Sequence, residues 1–436
     1  MEIKIPYGKD QIKFNIPNNW RLIDIQEPKQ KKPIPKNQIS SIVKNSLLNP
    51  INHKSLKDSI KKDDKVVIVV DDITRPTPTQ LIVEPLIDFL LKDIGLKKDN
   101  IKIIFALGVH RNMTQDEAVI KLGLNIAKKI SWENHYCKHN LTDLGTSFLK
   151  TPIKINKNFI DADFKIVIGL IEPHPWAGFS GGYKAVMPGL SGLNTIIKNH
   201  ELILKSNVKV GNIQNNPFRN DIDEIGKKTN LNFIINCILD SNKELCKIVA
   251  GDPKDAFLEG VKVARQNFEI KTSEIADVII ASSSPIDINF GQSCKAAFNT
   301  MDILKKNGVM IIVSPCFEGI GKNTITKRIL GRKVIKFFTL ILPSKILMKI
   351  IRLQSDIIEL SAGAFQILKF VSKNQLIFLS DGLTEEEKKT LFIVDHVKHP
   401  EEAISSAQKI LDKNGKKPIK VAIFPQGGCT YPSIKK

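Results

Sequence analysis

Eight short runs of β-branched and other apolar residues recur along the chain, each bounded by charged or turn-forming residues. They are Lys65–Val70, Ile101–Ala106, Lys165–Leu170, Asn232–Leu239, Asp277–Ala281, Val309–Val313, Gln375–Leu379 and Ile419–Phe424. Runs that stay apolar instead of alternating suit strands covered on both faces, the interior of a parallel sheet. Helical patterns fall between them, at Gln80–Lys92, Ala296–Lys306 and Glu401–Lys413. Strands alternating with helices predict an α/β fold, with two α/β lobes, mostly parallel sheets and a cleft between the lobes. A crossover at Glu269–Ala276 divides the chain into residues 1–270 and 271–436. In such sheets ligands bind beyond the carboxyl ends of the strands, so residues just after each run carry the functional argument.

Charge and cysteine usage narrow the classes of function. The formal charge is +20. It favours anionic ligands, but the lysines form no patch interleaved with aromatics, and nucleic acid is not expected. The six cysteines show no CxxC pair, which argues against a zinc knuckle or a disulfide framework. The start alternates like an edge hairpin and is no signal peptide, and no apolar run is long enough to span a bilayer. A cytoplasmic protein is expected. Arg328–Arg352 is basic and apolar without acidic residues, and reads as two helices around Pro343 that pack on the second lobe or lie on a membrane surface.

Four segments after strands concentrate reactive groups. In Asp71–Thr79, Thr77 is expected to cap a helix starting at Pro78, whose free N–H groups and nearby hydroxyls make a natural phosphate site. There Arg75 offers a fork for a carboxylate or phosphate, and Asp72 could accept from a sugar hydroxyl or orient Arg75. An ordinary capped turn uses the same residues. His110, just past the second strand, suits proton transfer. His174 stands between two prolines, and a glycine-rich loop then leads to Lys184, which could form a covalent link or neutralise a phosphate. His200 closes the next helix and is a candidate metal ligand. Gln292 and Lys295, three apart at the start of a later helix, could hold a carboxylate. His135, Cys137 and His139 alternate on one strand, and we assign them to structure.

Together the motifs DDITRPTP (Asp71–Pro78), ALGVHRNMTQDE (Ala106–Glu117), EPHPWAGFSGGYKAVMPGLSG (Glu172–Gly192) and GQSCKAAFNT (Gly291–Thr300) resemble the nickel-dependent lactate racemase family. The resemblance implies a racemase or epimerase acting on a small 2-hydroxyacid, lactate-like or larger. It implies a nickel-pincer nucleotide (pyridinium-3-thioamide-5-thiocarboxylic acid mononucleotide) covalently linked to Lys184 in the N-terminal domain, with His200 as the protein ligand to nickel. Asp72, Thr74 and Thr77 would lie by its ribose and phosphate. His110 and His174 would exchange the hydroxyl proton on opposite faces while the C2 hydride moves to the ring and back. Arg75, Gln292 and Lys295 would anchor the carboxylate. Cofactor-synthesis enzymes are implied as partners, and a homo-oligomer is compatible. Lactate-acting members place a tryptophan in the second lobe, whereas Trp20, Trp132 and Trp176 all fall in the first by the division above. Two other readings of the chain are a catalytically silent nucleotide- or anion-binding homologue and a basic membrane-surface or nucleic-acid-binding protein.

Overall fold

The computed structural model describes residues 1–23, 25, 31–321, 342, 346, 358–391, 394–412 and 418–435. The basic segment Arg328–Arg352 lies outside the described residues apart from positions 342 and 346. The chain forms two compact units, Gln30–Asn267 and Met1–Lys29 with Phe268–Lys436. No helix among the described residues is long and apolar enough to cross a membrane.

The unit Gln30–Asn267 is built on a six-stranded sheet. Its strand order is Leu245–Gly251, Phe233–Leu239, Phe164–Leu170, Val66–Asp71, Ile101–Ala106, Ser131–Asn134. All neighbours are parallel except Leu245–Gly251, which runs antiparallel to Phe233–Leu239. The Val66–Val70 run is buried throughout, as a strand covered on both faces requires. Val66, Ile68 and Val70 pack with Ile82, Leu86 and Leu90 from the helical stretch that follows. That stretch is an α-helix from Thr79 to Asp88 with Pro85 inside it, then a π-helical turn Phe89–Ile94 closed by Gly95 at φ +83°.

The other unit has a second six-stranded sheet, all parallel. Its order is Asp395–Val397, Gln375–Leu379, Leu304–Val313, Ala276–Ser282, Ile419–Phe424, Trp20–Leu22. Alternate residues face opposite cores: Ile279 and Ala281 one, Val278 and Ile280 the other.

Two features differ from the sequence expectation. Residues 1–29 belong with the C-terminal sheet, because Trp20–Leu22 pairs in parallel with Ile419–Val421. The expected edge hairpin is present, Glu2–Tyr7 against Asp10–Asn15, and its Ile5 and Phe14 bury fully in that core. Each such side chain contributes about 1.5–3 kcal/mol. Trp20 therefore sits in the second unit, buried, its indole N–H donating to Gln408 Oε1 at 2.6 Å. The helix expected over Ala296–Lys306 ends at Thr300, and Leu304 already begins a strand. Pairing of Leu304 with Ala276, and the Lys305 ammonium on the buried Asp277 carboxylate at 3.0 Å, override the local helical pattern.

Candidate functional site

Register places three loops side by side. Asp71 pairs with Ala106, and Val70 with Ile168, so the three central strands of the first sheet end level. The segments that follow carry Asp72, His110 and His174. Nothing in their sequence separation announces this; the parallel ladder produces it.

Asp72 is buried. Its Oδ1 accepts from the Thr74 amide at 2.9 Å and from the Thr74 hydroxyl. Its Oδ2 lies 2.5 Å from His110 Nδ1. Burial by itself would raise the Asp72 carboxyl, but the His110 hydrogen bond and charge, with Arg75 and Thr74, hold it well below the usual carboxylate range. An ionised Asp72 accepts from Nδ1–H, so the neutral form of the His110 ring has its lone pair on Nε2. The sequence reading had joined Asp72 to a ribose or to Arg75, and missed this dyad. Arg75 acts on Asp72 through its charge, and its Nη1 also lies 3.8 Å from Glu172 Oε1, a partly exposed and weak pair.

Thr77 does not cap the helix. Its hydroxyl donates to Asp71, and the helix begins at Thr79 after Pro78 without a side-chain cap. A carboxylate acceptor within reach wins the hydroxyl from the helix end.

His174 is held the opposite way. Its Nδ1 accepts from the amides of Trp176 at 3.2 Å and Ala177 at 3.1 Å, so the ring proton resides on Nε2. The glycines that follow are sterically required. Gly178 has φ +75°, and a Cβ there would lie 2.3 Å from Asn212 O; Gly181 has φ +87°, and a Cβ would lie 2.5 Å from Ile171 Cγ1. The loop is pinned from beneath by residues that the sequence reading missed. Asn236 Oδ1 accepts from the Gly182 amide at 2.8 Å. The buried Arg219 donates through Nη1 to the carbonyls of Phe179 at 3.2 Å and Gly181 at 3.4 Å, its guanidinium 3.8 Å from the Phe257 ring centre. Lys184 then stands half-buried in the turn Gly182–Ala185, which packs on the Phe164–Leu170 and Val66–Asp71 strands.

His200 ends the helix Leu193–His200 and is buried. Its Nδ1–H donates to Ile196 O at 2.8 Å, which puts the lone pair of the neutral ring on Nε2. Trp176 meets His174 and His200 edge to face, with centroids 5.8 and 5.6 Å apart. Phe218 closes on His200 at 5.3 Å. Among the described residues no group of three His, Cys, Asp or Glu is placed to hold a metal ion.

His135 is interior. Its Nε2–H donates to Ser191 O at 3.0 Å, Asn156 donates to Nδ1 at 3.4 Å, and burial pushes its pKa down to about 4. Gln292 and Lys295 lie in the other unit, on the helix Phe290–Thr300, Gln292 exposed and Lys295 half-buried. Asn289 caps that helix by accepting from the Gln292 amide at 3.0 Å.

Residues 7–211 match the model of the lactate racemase N-terminal domain, and 271–429 that of the C-terminal domain. A lactate racemase of Thermoanaerobacterium thermosaccharolyticum is 30% identical over 432 residues, covering 98% of this chain and 97% of that protein. One from Lactiplantibacillus plantarum is 30% identical over 285 residues, 64% of this chain and 66% of that protein. The structure of the T. thermosaccharolyticum lactate racemase apoprotein superposes with a TM-score of 0.84 at 28% identity, covering 99% of this chain and 100% of the other.

Proposed function

The chain belongs to the lactate racemase family, and from that premise we propose that it inverts C2 of a 2-hydroxyacid, lactate-like or larger, with a nickel-pincer nucleotide tethered to Lys184. One observation carries the reading: Nδ1 of His110 faces a carboxylate and Nδ1 of His174 faces two backbone amides, which favours opposite tautomers of the neutral rings. His110 presents a lone pair at Nε2, and His174 presents a proton at Nε2. Inverting a carbinol takes a proton from a hydroxyl on one side and returns one on the other. A base and an acid set in advance are what that exchange needs.

The remaining residues fit the cofactor that this reading requires. His200 has the tautomer of a metal ligand, and a single protein ligand suffices where sulfur donors complete the set. The glycine turn lets the loop pack tightly on Asn212, Asn236 and Phe257, which fixes the backbone that carries Lys184. When bound, such a group supplies a reversible acceptor for the C2 hydride. Thr74 and Thr77 are assigned to its phosphate and ribose side, near Asp72. Asp72 acts through His110, fixing its ring and stabilising the imidazolium formed when the hydroxyl proton is taken. Arg75, Gln292 and Lys295 bind the carboxylate and polarise the developing carbonyl. Enzymes of cofactor synthesis are the implied partners. All six cysteines are free thiols, in keeping with a reducing cytoplasm.

The test is protein produced together with the cofactor pathway, offered single enantiomers of a 2-hydroxyacid series and followed by chiral chromatography. Racemisation of at least one acid is expected, with nickel bound and a mass adduct on Lys184. Protein that carries both and racemises none of the series would sink the proposal.

A further inference from the structure

Lys121 is buried, with its side chain 4% exposed, an uncommon place for an ammonium. It sits in the last turn of the helix Gln115–Leu122. Its hydrogen-bond and ion-pair partners among the described residues all belong to one segment. Nζ donates to Arg75 O at 2.8 Å and Thr77 O at 3.4 Å, and lies 2.7 Å from Asp71 Oδ1. Asp71 Oδ1 has no well-aligned hydrogen bond, so the contact with Asp71 is chiefly Coulombic, while Thr77 secures the other carboxylate oxygen.

A buried ion pair is a poor way to gain stability, since apolar residues of the same volume serve as well or better. The partners suggest another role. Residues 72–77 follow the strand end at Asp71 and are irregular, and Lys121 takes two of their carbonyls and the Asp71 carboxylate. Asp72, Thr74 and Arg75 ride on the backbone so held. We propose that Lys121 is a positioning residue, setting the guanidinium of Arg75 and the Asp72–His110 dyad for the carboxylate and hydroxyl of the substrate. This rests on the 2-hydroxyacid racemase reading above.

The test uses Lys121→Met together with Asp71→Asn, which removes both charges and leaves no buried carboxylate unpaired. In the apoprotein, amide exchange should quicken in peptides covering residues 72–79, with protection elsewhere kept. In loaded enzyme the adduct on Lys184 should persist, KM should rise about tenfold, and kcat/KM should fall roughly ten- to hundredfold, the scale of a small misplacement. A purely structural role would lower the folded fraction and leave KM unchanged. The inference is overturned if exchange over 72–79 and KM both match wild type. It is equally overturned if the variant loosens throughout, which would make Lys121 a residue of stability. Wild-type enzyme that racemises nothing would overturn the parent reading too, and is told apart by needing no variant.

Discussion

The two six-stranded sheets are built alike and finished differently. At the carboxyl ends of the first stand ionisable groups paired across loops: Asp72 with His110, Arg75 with Glu172, Lys121 with Asp71. At those of the second stand hydroxyls: Ser282 ending one strand and Ser283 after it, Ser314 after the next, Ser380 after a third. These are satisfied among themselves or by backbone. Ser293 and Ser314 share a hydrogen bond at 2.7 Å, Ser282 donates to Pro6 O at 2.7 Å, and Ser380 to Pro315 O at 3.2 Å. One layer architecture thus yields histidine and cation pairs in one unit and, in the other, a seam of hydroxyls with the carboxylates of Asp287 and Asp381 beside it. Under the function proposed above, proton chemistry falls to Gln30–Asn267 and carboxylate anchoring in the second unit to Gln292 and Lys295.

The largest effect should come from Lys184→Ala. Intact mass should show no adduct, and racemisation should be lost altogether, because no other residue of the glycine turn offers an amine. An adduct on the variant would move the attachment elsewhere and dissolve the contrast between the units. Next come His110→Ala and His174→Ala, each retaining the adduct and losing about 10²–10⁴ in kcat, the usual weight of a positioned acid or base. Wild-type turnover in either would show that the opposite tautomers serve structure alone. Smaller still, Gln292→Ala and Lys295→Ala should raise KM about tenfold, one charge-assisted contact each, with kcat little changed. A collapse of kcat in these variants would place chemistry in the second unit as well.

How far this was legible follows from range. Continuous apolar runs announced the sheets, since a strand buried on both faces leaves a local signature. The hairpin's allegiance did not show, because Trp20 meets Ile419 from the far end of the chain. The glycine-rich loop and Lys184 could be read from their own motif, since the positive φ of Gly178 and Gly181 is a local demand, while the close approach of Asn212 and Asn236 that also excludes a side chain there is not. The Asp72–His110 dyad, Arg219 under the glycine loop and Lys121 under the arginine loop could not be. Each joins residues that only strand register or helix packing brings together, and Arg219 and Lys121 look in sequence like any surface cation. Thr77 failed for a related reason: a cap prediction weighs the helix end alone, while Asp71 competes for the hydroxyl from the preceding strand.

The subtlest consequence concerns His135, the titrating group of the first unit that we exclude from catalysis. Its folded pKa is pushed from the ordinary 6.5 down to about 4, because burial disfavours the imidazolium more than the Ser191 carbonyl and the nearby Glu133 favour it. The unfolded chain therefore binds the proton first as pH falls. Stability from this group is full above about pH 6.5, declines below it, and stops changing near pH 4. Between pH 7.5 and pH 5 the loss should be about 2 kcal/mol. Urea unfolding of wild type and His135→Gln at both pH values isolates it: the variant should lose about 2 kcal/mol less than wild type over that interval. Serine hydroxyls such as Ser314 do not titrate in this range and can contribute no such slope. Equal pH slopes in the two proteins would mean that His135 is already charged or solvated in the folded state. The division between a histidine that moves protons and one that only fills space would then need redrawing.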